Sequence, residues 1–222
     1  MLRPRKRISK REIKEDALVT FYVRVQKVVK QYSKQLNIGF FALLFVIVIS
    51  VLMIRSKRNA EMTSSSKLGI AEQFYFSMNY QNAIDELLKI VEVYPGTKSA
   101  GMAVFYIANS YFELKEFDNA KTYYQNYLEG YKNNKMITAS SLAGVAACLE
   151  QQSLFLESAG FYERASKKYA VGFKAPFYLK DAGRCYILAG QNEKGKEMAQ
   201  FLIDKYPDSN LVNEMKFLVE SL

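Results

Sequence analysis

Hydrophobic positions fall into three regimes along this chain of 222 residues. In the first, Leu18, Phe21, Val25, Val28, Val29 and Tyr32 recur at helical spacing, while Arg24, Lys27, Lys30 and Lys34 fall on the opposite face at about 100° per residue. This predicts an amphipathic helix, and Ser9 followed by Glu12 is a capping box that would open it. Such a helix fits the anionic face of a membrane, a membrane-embedded partner, or a bare topological signal, and the pattern leaves all three open.

In the second regime periodicity vanishes. The stretch LNIGFFALLFVIVISVLMI, Leu36 to Ile54, has Asn37 and Ser50 as its only polar side chains and no charge. Thirteen of the seventeen residues from Ile38 to Ile54 are Leu, Ile, Phe or Val, which favours membrane insertion by roughly 5 kcal/mol before the remaining residues are counted. As a helix the stretch is about 28 Å long, against a hydrocarbon thickness of about 30 Å. A helix apolar all round, with Lys34 before it and Arg55, Lys57 and Arg58 after it, is bracketed like an anchor rather than a core helix. A cleaved signal is disfavoured, because 35 residues precede the stretch and no A-x-A-like site follows Ile54.

The third regime, residues 64–222, is self-similar. Ala71, Ala108, Ala146 and Gly183 form one column; Phe74, Tyr111, Leu149 and Tyr186 a second; Ala83, Ala120, Ser158 and Gly195 a third; the spacings in each are 37, 38 and 37. Small residues in the first and third columns let two helices approach closely, and the large residue three positions after the first fills the space between them. The pattern describes a helix hairpin built four times.

The order small residue, large residue at plus three, small residue at plus twelve and Pro at plus twenty-four resembles the tetratricopeptide repeat. The first repeat supplies Ala71, Phe74, Ala83 and Pro95, with Tyr80 at the turn and Leu87 in the second helix. The second supplies Ala108, Tyr111, Phe117, Ala120 and Tyr124, with Asp118 placed as an N-cap. The fourth supplies Gly183, Tyr186, Gly190, Gly195, Ala199, Leu202 and Pro207. The third is degenerate, with Ser158 for alanine and neither a turn glycine nor a closing proline. The period exceeds the family's usual length of about 34, so longer helices or connections are expected. After Pro207, Leu211, Met215, Leu218 and Leu222 at helical spacing predict a capping helix over the last repeat.

The resemblance implies an all-α, tetratricopeptide-like helix-hairpin solenoid of about four repeats plus a capping helix, behind one N-terminal transmembrane helix. The expected division is a basic cytoplasmic arm at 1–35, the transmembrane helix at 36–54, a linker at 55–63 and the repeat domain at 64–222. In the family the first helix of each repeat lines a concave groove for peptides or partner helices. Carried over by position, the partner-binding groove is expected at Leu68, Glu72, Tyr75 and Phe76, then Phe105, Asn109 and Phe112, with Ala143, Ala147 and Glu150 in the third repeat and Lys180, Arg184 and Ile187 in the fourth. Lys180 and Arg184, one turn apart, resemble part of the clamp some members close on acidic C-termini; Leu68 and Glu72 stand where its other half would be, so the clamp is incomplete.

Charge fixes the expected orientation. Of the formal net charge of +9, residues 1–35 hold 11 Lys/Arg against 3 Asp/Glu, residues 55–63 hold 3 against 1, and residues 64–222 hold 17 against 18. The basic arm is retained in the cytoplasm and the repeat domain crosses to the other side. The near-neutral repeat domain lacks the electrostatic footprint of a nucleic-acid binder, so no nucleic-acid partner is expected.

Candidate chemistry is sparse. Histidine is absent, which removes the commonest general base and metal ligand. Gly190 to Lys196 fits the G-x-x-x-x-G-K half of a phosphate loop, but Glu197 stands where a Ser or Thr must hold magnesium, and both glycines occupy a helix-hairpin turn. Cys148 and Cys185 occupy the same repeat position in adjacent repeats, about 8–10 Å apart and beyond disulfide reach, so free, semi-buried thiols are expected. No catalytic residue, metal, cofactor or small-molecule substrate is expected.

The order of parts, arm then span then repeat domain, also resembles the ancillary subunits of the bacterial Sec translocon. This implies a single-pass inner-membrane protein with a periplasmic domain that binds envelope or translocon components, or secreted chains, in a chaperone-like way. The alternative is a structural scaffold for cell-envelope assembly or division. No cysteine stands near the N-terminus to carry a lipoprotein acyl group.

Overall fold

The computed structural model describes residues 17–132 and 134–221. The Ser9–Glu12 capping box with the rest of residues 1–16 of the basic arm, Asn133 and Leu222 lie outside the described residues. The chain divides into two compact units, Met1–Ser56 and Lys57–Leu222.

In the first unit, helix α1 (Ala17–Gln31) is followed after one residue by α2 (Ser33–Phe76), whose C-terminal part belongs to the second unit. The Tyr32 N–H donates to the Val28 carbonyl at 3.0 Å and the Leu36 N–H to the Tyr32 carbonyl at 2.8 Å, so the two helices are joined through Tyr32, while the N–H groups of Ser33, Lys34 and Gln35 make no backbone bond back to α1. Every described residue from Phe21 to Ser56 is exposed. Among the described helices, α2 alone is long and apolar enough to cross a membrane.

The second unit is all-helical, as the repeat pattern predicts: the end of α2 is followed by α3 (Tyr80–Val93), α4 (Lys98–Glu113), α5 (Phe117–Gly130), α6 (Lys135–Gln151), α7 (Phe155–Lys168), α8 (Ala175–Leu188), α9 (Asn192–Lys205) and α10 (Val212–Ser221). From α3 to α10 each helix packs on its neighbours in sequence, and α4 also touches α6, which makes a solenoid of hairpins. Residues 55–63, expected as a linker, are helical and lie within α2. The long period is accommodated by first helices of 16 and 17 residues in α4 and α6.

The small columns lie where helices cross. Ala71, Ala83, Ala108, Ala120, Ala146 and Ser158 are fully buried. In the third repeat the Ser158 hydroxyl donates to the Ala146 carbonyl at 2.8 Å across the crossing, so the one polar member of its column is satisfied. In the fourth, a Cβ on Gly183 would stand 3.3 Å from the Gly195 carbonyl oxygen, and one on Gly195 would meet Ile187 Cγ1 at 2.5 Å. Glycine at both positions is what lets α8 and α9 close.

Each hairpin turns the same way. The N–H groups of Met78, Lys115, Ser153 and Gly190 donate to the carbonyls of Tyr75, Phe112, Glu150 and Ile187, and the next N–H reaches back to Phe74, Tyr111, Leu149 and Tyr186. This is a Schellman cap repeated four times. The turn residue has φ of 61°, 62°, 60° and 75° in the four repeats, and only the last is glycine. Asp118, expected as the N-cap of α5, is not one: Glu116 holds that place, and Asp118 Oδ1 instead accepts from Gln152 Nε2 at 2.7 Å in the following repeat.

A further column closes the second helices. Their C-caps are Tyr94, Tyr131, Tyr169 and Tyr206, again spaced by 37, 38 and 37. The Tyr206 hydroxyl donates to the Ala170 carbonyl at 2.7 Å, and the Tyr131 ring packs so tightly on Gly101 that a Cβ there would come within 2.9 Å of it. At the start of the unit, Glu61 caps α4 from outside, accepting from the backbone N–H groups of Lys98 (2.7 Å) and Ser99 (3.1 Å) and from Ser99 Oγ (2.7 Å). Burial pulls the Glu61 pKa upward, but these donors outweigh it and hold the carboxyl below its usual range. At the other end Leu211 and Met215 are buried beside α9, with Leu218 packed against the same cluster, as expected of a capping helix.

The strained turns give a direct test. A non-glycine left-handed residue costs about 1–2 kcal/mol, and glycine returns part of this as unfolded-state entropy, about 0.5–1 kcal/mol. Lys115→Gly should therefore stabilise the repeat domain by about 0.5–1 kcal/mol, read as a raised denaturation midpoint; a lowered midpoint would mean that the Lys115 side chain itself holds the turn.

Candidate functional site

The first helices of the repeats converge on one recess. It is about 320 Å³ in volume and takes its walls from the end of α2 (Tyr75), from α4 (Phe105, Asn109, Phe112 and Glu113), from α5 (Tyr124), from α6 (Ser140 and Ala143) and from the start of α8 (Lys174 and Tyr178). Helical periodicity explains the grouping, since Phe105, Asn109 and Phe112 are four and three residues apart and share a face of α4.

Its floor is set by one hydrogen bond and one glycine. The Tyr124 hydroxyl donates to Asn109 Oδ1 at 2.6 Å. To get there its ring lies flush on α6, where a Cβ on Gly144 would sit 2.4–2.6 Å from three ring carbons. With one lone pair of its oxygen held by Tyr124, the Asn109 amide is oriented with its N–H side toward Tyr75 and the recess. Burial pushes the Tyr124 hydroxyl far above the usual tyrosine range, so it stays a donor. Ser140 Oγ and Tyr178 Oη are hydrogen-bonded at 3.3 Å on the opposite wall.

Tyr75, Phe105, Asn109 and Phe112 are half-buried, neither sealed in the core nor free in solvent. Tyr75 packs on Tyr106 with ring centroids 5.0 Å apart, Phe105 on Tyr124 at 6.1 Å, and Phe112 on Phe117 at 5.4 Å. Glu113 and Lys174 are exposed at the recess, and neither has an ion pair among the described residues.

Other residues expected in the groove lie elsewhere. Leu68 is 8% exposed and belongs to the core cluster with Ala71, Ala100 and Ala103, because the small residues of α4 let it sink between the helices. Glu72 stands beside Tyr106, where burial first and the Glu72 carboxylate second push the phenol up to about 12. Phe76 is exposed at the tip of α2, against Tyr75 and Tyr106.

The basic pair is answered by acids. Arg184 makes two 2.8 Å bonds to Glu150, and Lys180 Nζ lies 3.7 Å from Glu214 on the capping helix. The Arg184 hydrogen bonds, against opposing burial, hold the Glu150 carboxyl below its usual range. Neither cation lines the recess, and both partners are too distant in sequence to signal the pairing.

The cysteines are free, and they are fully buried rather than half-buried. Burial raises the Cys148 and Cys185 thiols to about 12 and about 11, so both stay protonated and poorly nucleophilic at neutral pH.

Comparisons with known proteins agree with this fold. A tetratricopeptide repeat profile matches residues 102–134 and 181–209, the second and fourth hairpins. No curated protein sequence matches the chain. Among solved structures, the chain is similar to YrrB, a tetratricopeptide repeat protein with an unusual peptide-binding site, at 18% identity and a TM-score of 0.53, covering 69% of this chain and 74% of that one. It is similar to a putative kinesin light chain of Podosopora anserina with nearly identical repeats, at 11% identity and a TM-score of 0.56, covering 71% and 83%. A third similarity is to Pseudomonas aeruginosa PilF, at 15% identity and a TM-score of 0.52, covering 69% and 65%. The repeat domain thus has the tetratricopeptide fold.

The floor of the recess should be sensitive to one methyl group. Gly144→Ala gains about 0.5–1 kcal/mol of helix propensity, but it drives the Tyr124 ring off α6, at a cost of about 1–3 kcal/mol for overpacking. A net loss of stability, with the Tyr124 to Asn109 hydrogen bond broken in the variant's crystal structure, is the expected outcome; an unchanged melting temperature would mean the ring has other room.

Proposed function

We propose that this chain is a membrane-anchored protein-interaction module whose repeat domain holds an extended segment of a partner protein in the recess between α4, α6 and α8. The observation that carries the reading is a set of half-buried aromatic side chains around an amide held in place by the Tyr124 hydroxyl. An apolar residue of a bound peptide would bury Tyr75, Phe105 and Phe112 further, while the Asn109 N–H donors meet a backbone carbonyl. Peptide recognition of this kind combines a few aromatic anchors with a fixed polar contact. Glu113 on α4 and Lys174 at the start of α8, both at the recess, would orient a segment carrying a cation at one end and an anion at the other.

The anchor is Leu36 to Ile54, exposed throughout and flanked by Lys34 and Arg55. The excess of Lys and Arg before it favours a cytoplasmic N-terminus and a periplasmic repeat domain in a bacterial inner membrane. The finer reading, a translocon-associated subunit that holds secreted chains, is supported by the order of arm, span and repeat domain. Partner identity separates it from a scaffold for envelope assembly or division.

Two experiments test this. Protease added to spheroplasts should digest residues 64–222 and spare residues 1–35; the reverse would move the partner to the cytoplasm. For the groove, Phe105→Ala with Phe112→Ala should weaken capture of the natural partner by about 2–4 kcal/mol, the scale of typical interface anchors, while circular dichroism of the full chain stays helical. A photocrosslinker at Phe112 identifies what is lost. Unchanged capture by the folded double variant would place binding on another surface.

A further inference from the structure

The amphipathic helix α1 has no partner among the described residues of its own unit. Its apolar stripe of Phe21, Val25, Val28 and Val29 is exposed, between 43% and 67% of each side chain facing solvent. Arg24, Lys27, Lys30 and, just beyond it, Lys34 occupy the opposite face. A stripe of this size left in water is costly, at about 25 cal/mol per Å² of apolar surface.

We infer that α1 is a surface helix that lies in the headgroup region of an anionic leaflet, its apolar stripe in the acyl boundary and its cations on lipid phosphates. Two observations select lipid as the occupant. The first is charge: from Ala17 to Ala60 the chain has no Asp or Glu at all. A helix built to dock on another helix usually mixes signs along its polar edge to set register and partner, whereas an all-cationic edge matches a surface of uniform negative charge. The second is continuity. The span begins five residues after α1 ends, and the hydrogen bonds through Tyr32 keep α1 attached at the membrane boundary. This rests on the reading of Leu36 to Ile54 as a span.

The consequence is a lipid-dependent position for the arm. Each Lys or Arg near an anionic surface shifts the equilibrium toward the bound helix by roughly fivefold, so four act together strongly in phosphatidylglycerol and hardly at all in phosphatidylcholine. Salt should weaken the association, because the Debye length falls from about 10 Å at 0.1 M to about 3 Å at 1 M.

The chain has no tryptophan, so a single introduced one reports its own surroundings. Phe21 and Val23 lie about 160° apart around α1, and Val23 stands among the cations. In the full chain reconstituted in bilayers of phosphatidylglycerol and phosphatidylcholine, F21W should be quenched by brominated acyl chains and shielded from aqueous iodide, and V23W the opposite. Pure phosphatidylcholine, or Arg24, Lys27, Lys30 and Lys34 all changed to Gln, should bring F21W back into water. If F21W is as open to iodide as V23W in the anionic bilayer, the inference is overturned. It is equally overturned if F21W is shielded from both quenchers, which would mean a second protein chain covers the stripe. Ile47→Trp keeps the two readings apart: it should be quenched by brominated lipid whatever the headgroup, and its failure alone would remove the span and the surface helix with it.

Discussion

The repeat domain depends on one steric condition: two helices must cross at positions twelve residues apart where neither carries more than a methyl or hydroxymethyl group. Ala71 with Ala83, Ala108 with Ala120, Ala146 with Ser158 and Gly183 with Gly195 meet it in turn. With the crossing fixed, the connection must reverse the chain within a few residues, and a left-handed residue follows at Met78, Lys115, Ser153 and Gly190. Three of the four pay the strain of a side chain at that angle. Packing on both sides over-determines the turn, which is how such strain persists.

The same closeness builds the recess. Because α5 lies hard against α4 and Gly144 leaves α6 bare at one point, the Tyr124 ring passes between three helices and reaches Asn109. The site is therefore a consequence of the packing rather than an addition to it. Tyr162 occupies the equivalent place one repeat later and finds Glu150 at 3.4 Å, but there Arg184 already holds the carboxylate. The repeats share a frame, and the side chains on it decide where the groove stays open.

These facts explain how much was legible in the sequence. Small residues at crossings are read directly, because a wrong size there is penalised in every repeat; the hairpins, their number and the capping helix follow from them. The left-handed column was not legible, since Met78, Lys115 and Ser153 carry no signal for positive φ. The column of Tyr94, Tyr131, Tyr169 and Tyr206 stands at the same spacing, but a closing proline follows it in only two repeats, and tyrosine alone does not mark a helix end. In the groove, position alone brought Tyr75, Phe105, Asn109 and Phe112 to one recess, because they share helix faces. It did not place Leu68, which sinks where Ala100 and Ala103 are small, nor Lys180 and Arg184, whose partners come from other helices. Gly144, Ser140, Lys174 and Tyr178 were missed because each matters only through a residue far along the chain.

Electrostatics divides the molecule along the same lines. In the second unit, some charges link one repeat to the next: Glu61 to the start of α4, Asp118 to Gln152, Glu150 to Arg184, and Lys180 to Glu214 on the capping helix. Exposed pairs of this kind contribute at most about 1 kcal/mol each, so their effect on stability is small; it is the balance of 17 Lys/Arg against 18 Asp/Glu in residues 64–222 that leaves little net charge to attract a polyanion. Glu113 and Lys174 stay outside the ladder, at the recess, where charge steers a ligand's direction more than it adds affinity. The basic excess sits instead before and just after the span, with no acid between Ala17 and Ala60 to offset it. A surface that must recognise one segment among many has reason to keep its field weak and its contacts specific. One that needs only to hold a helix against a uniformly negative sheet gains from every added cation, and the two ends of this chain divide in that way.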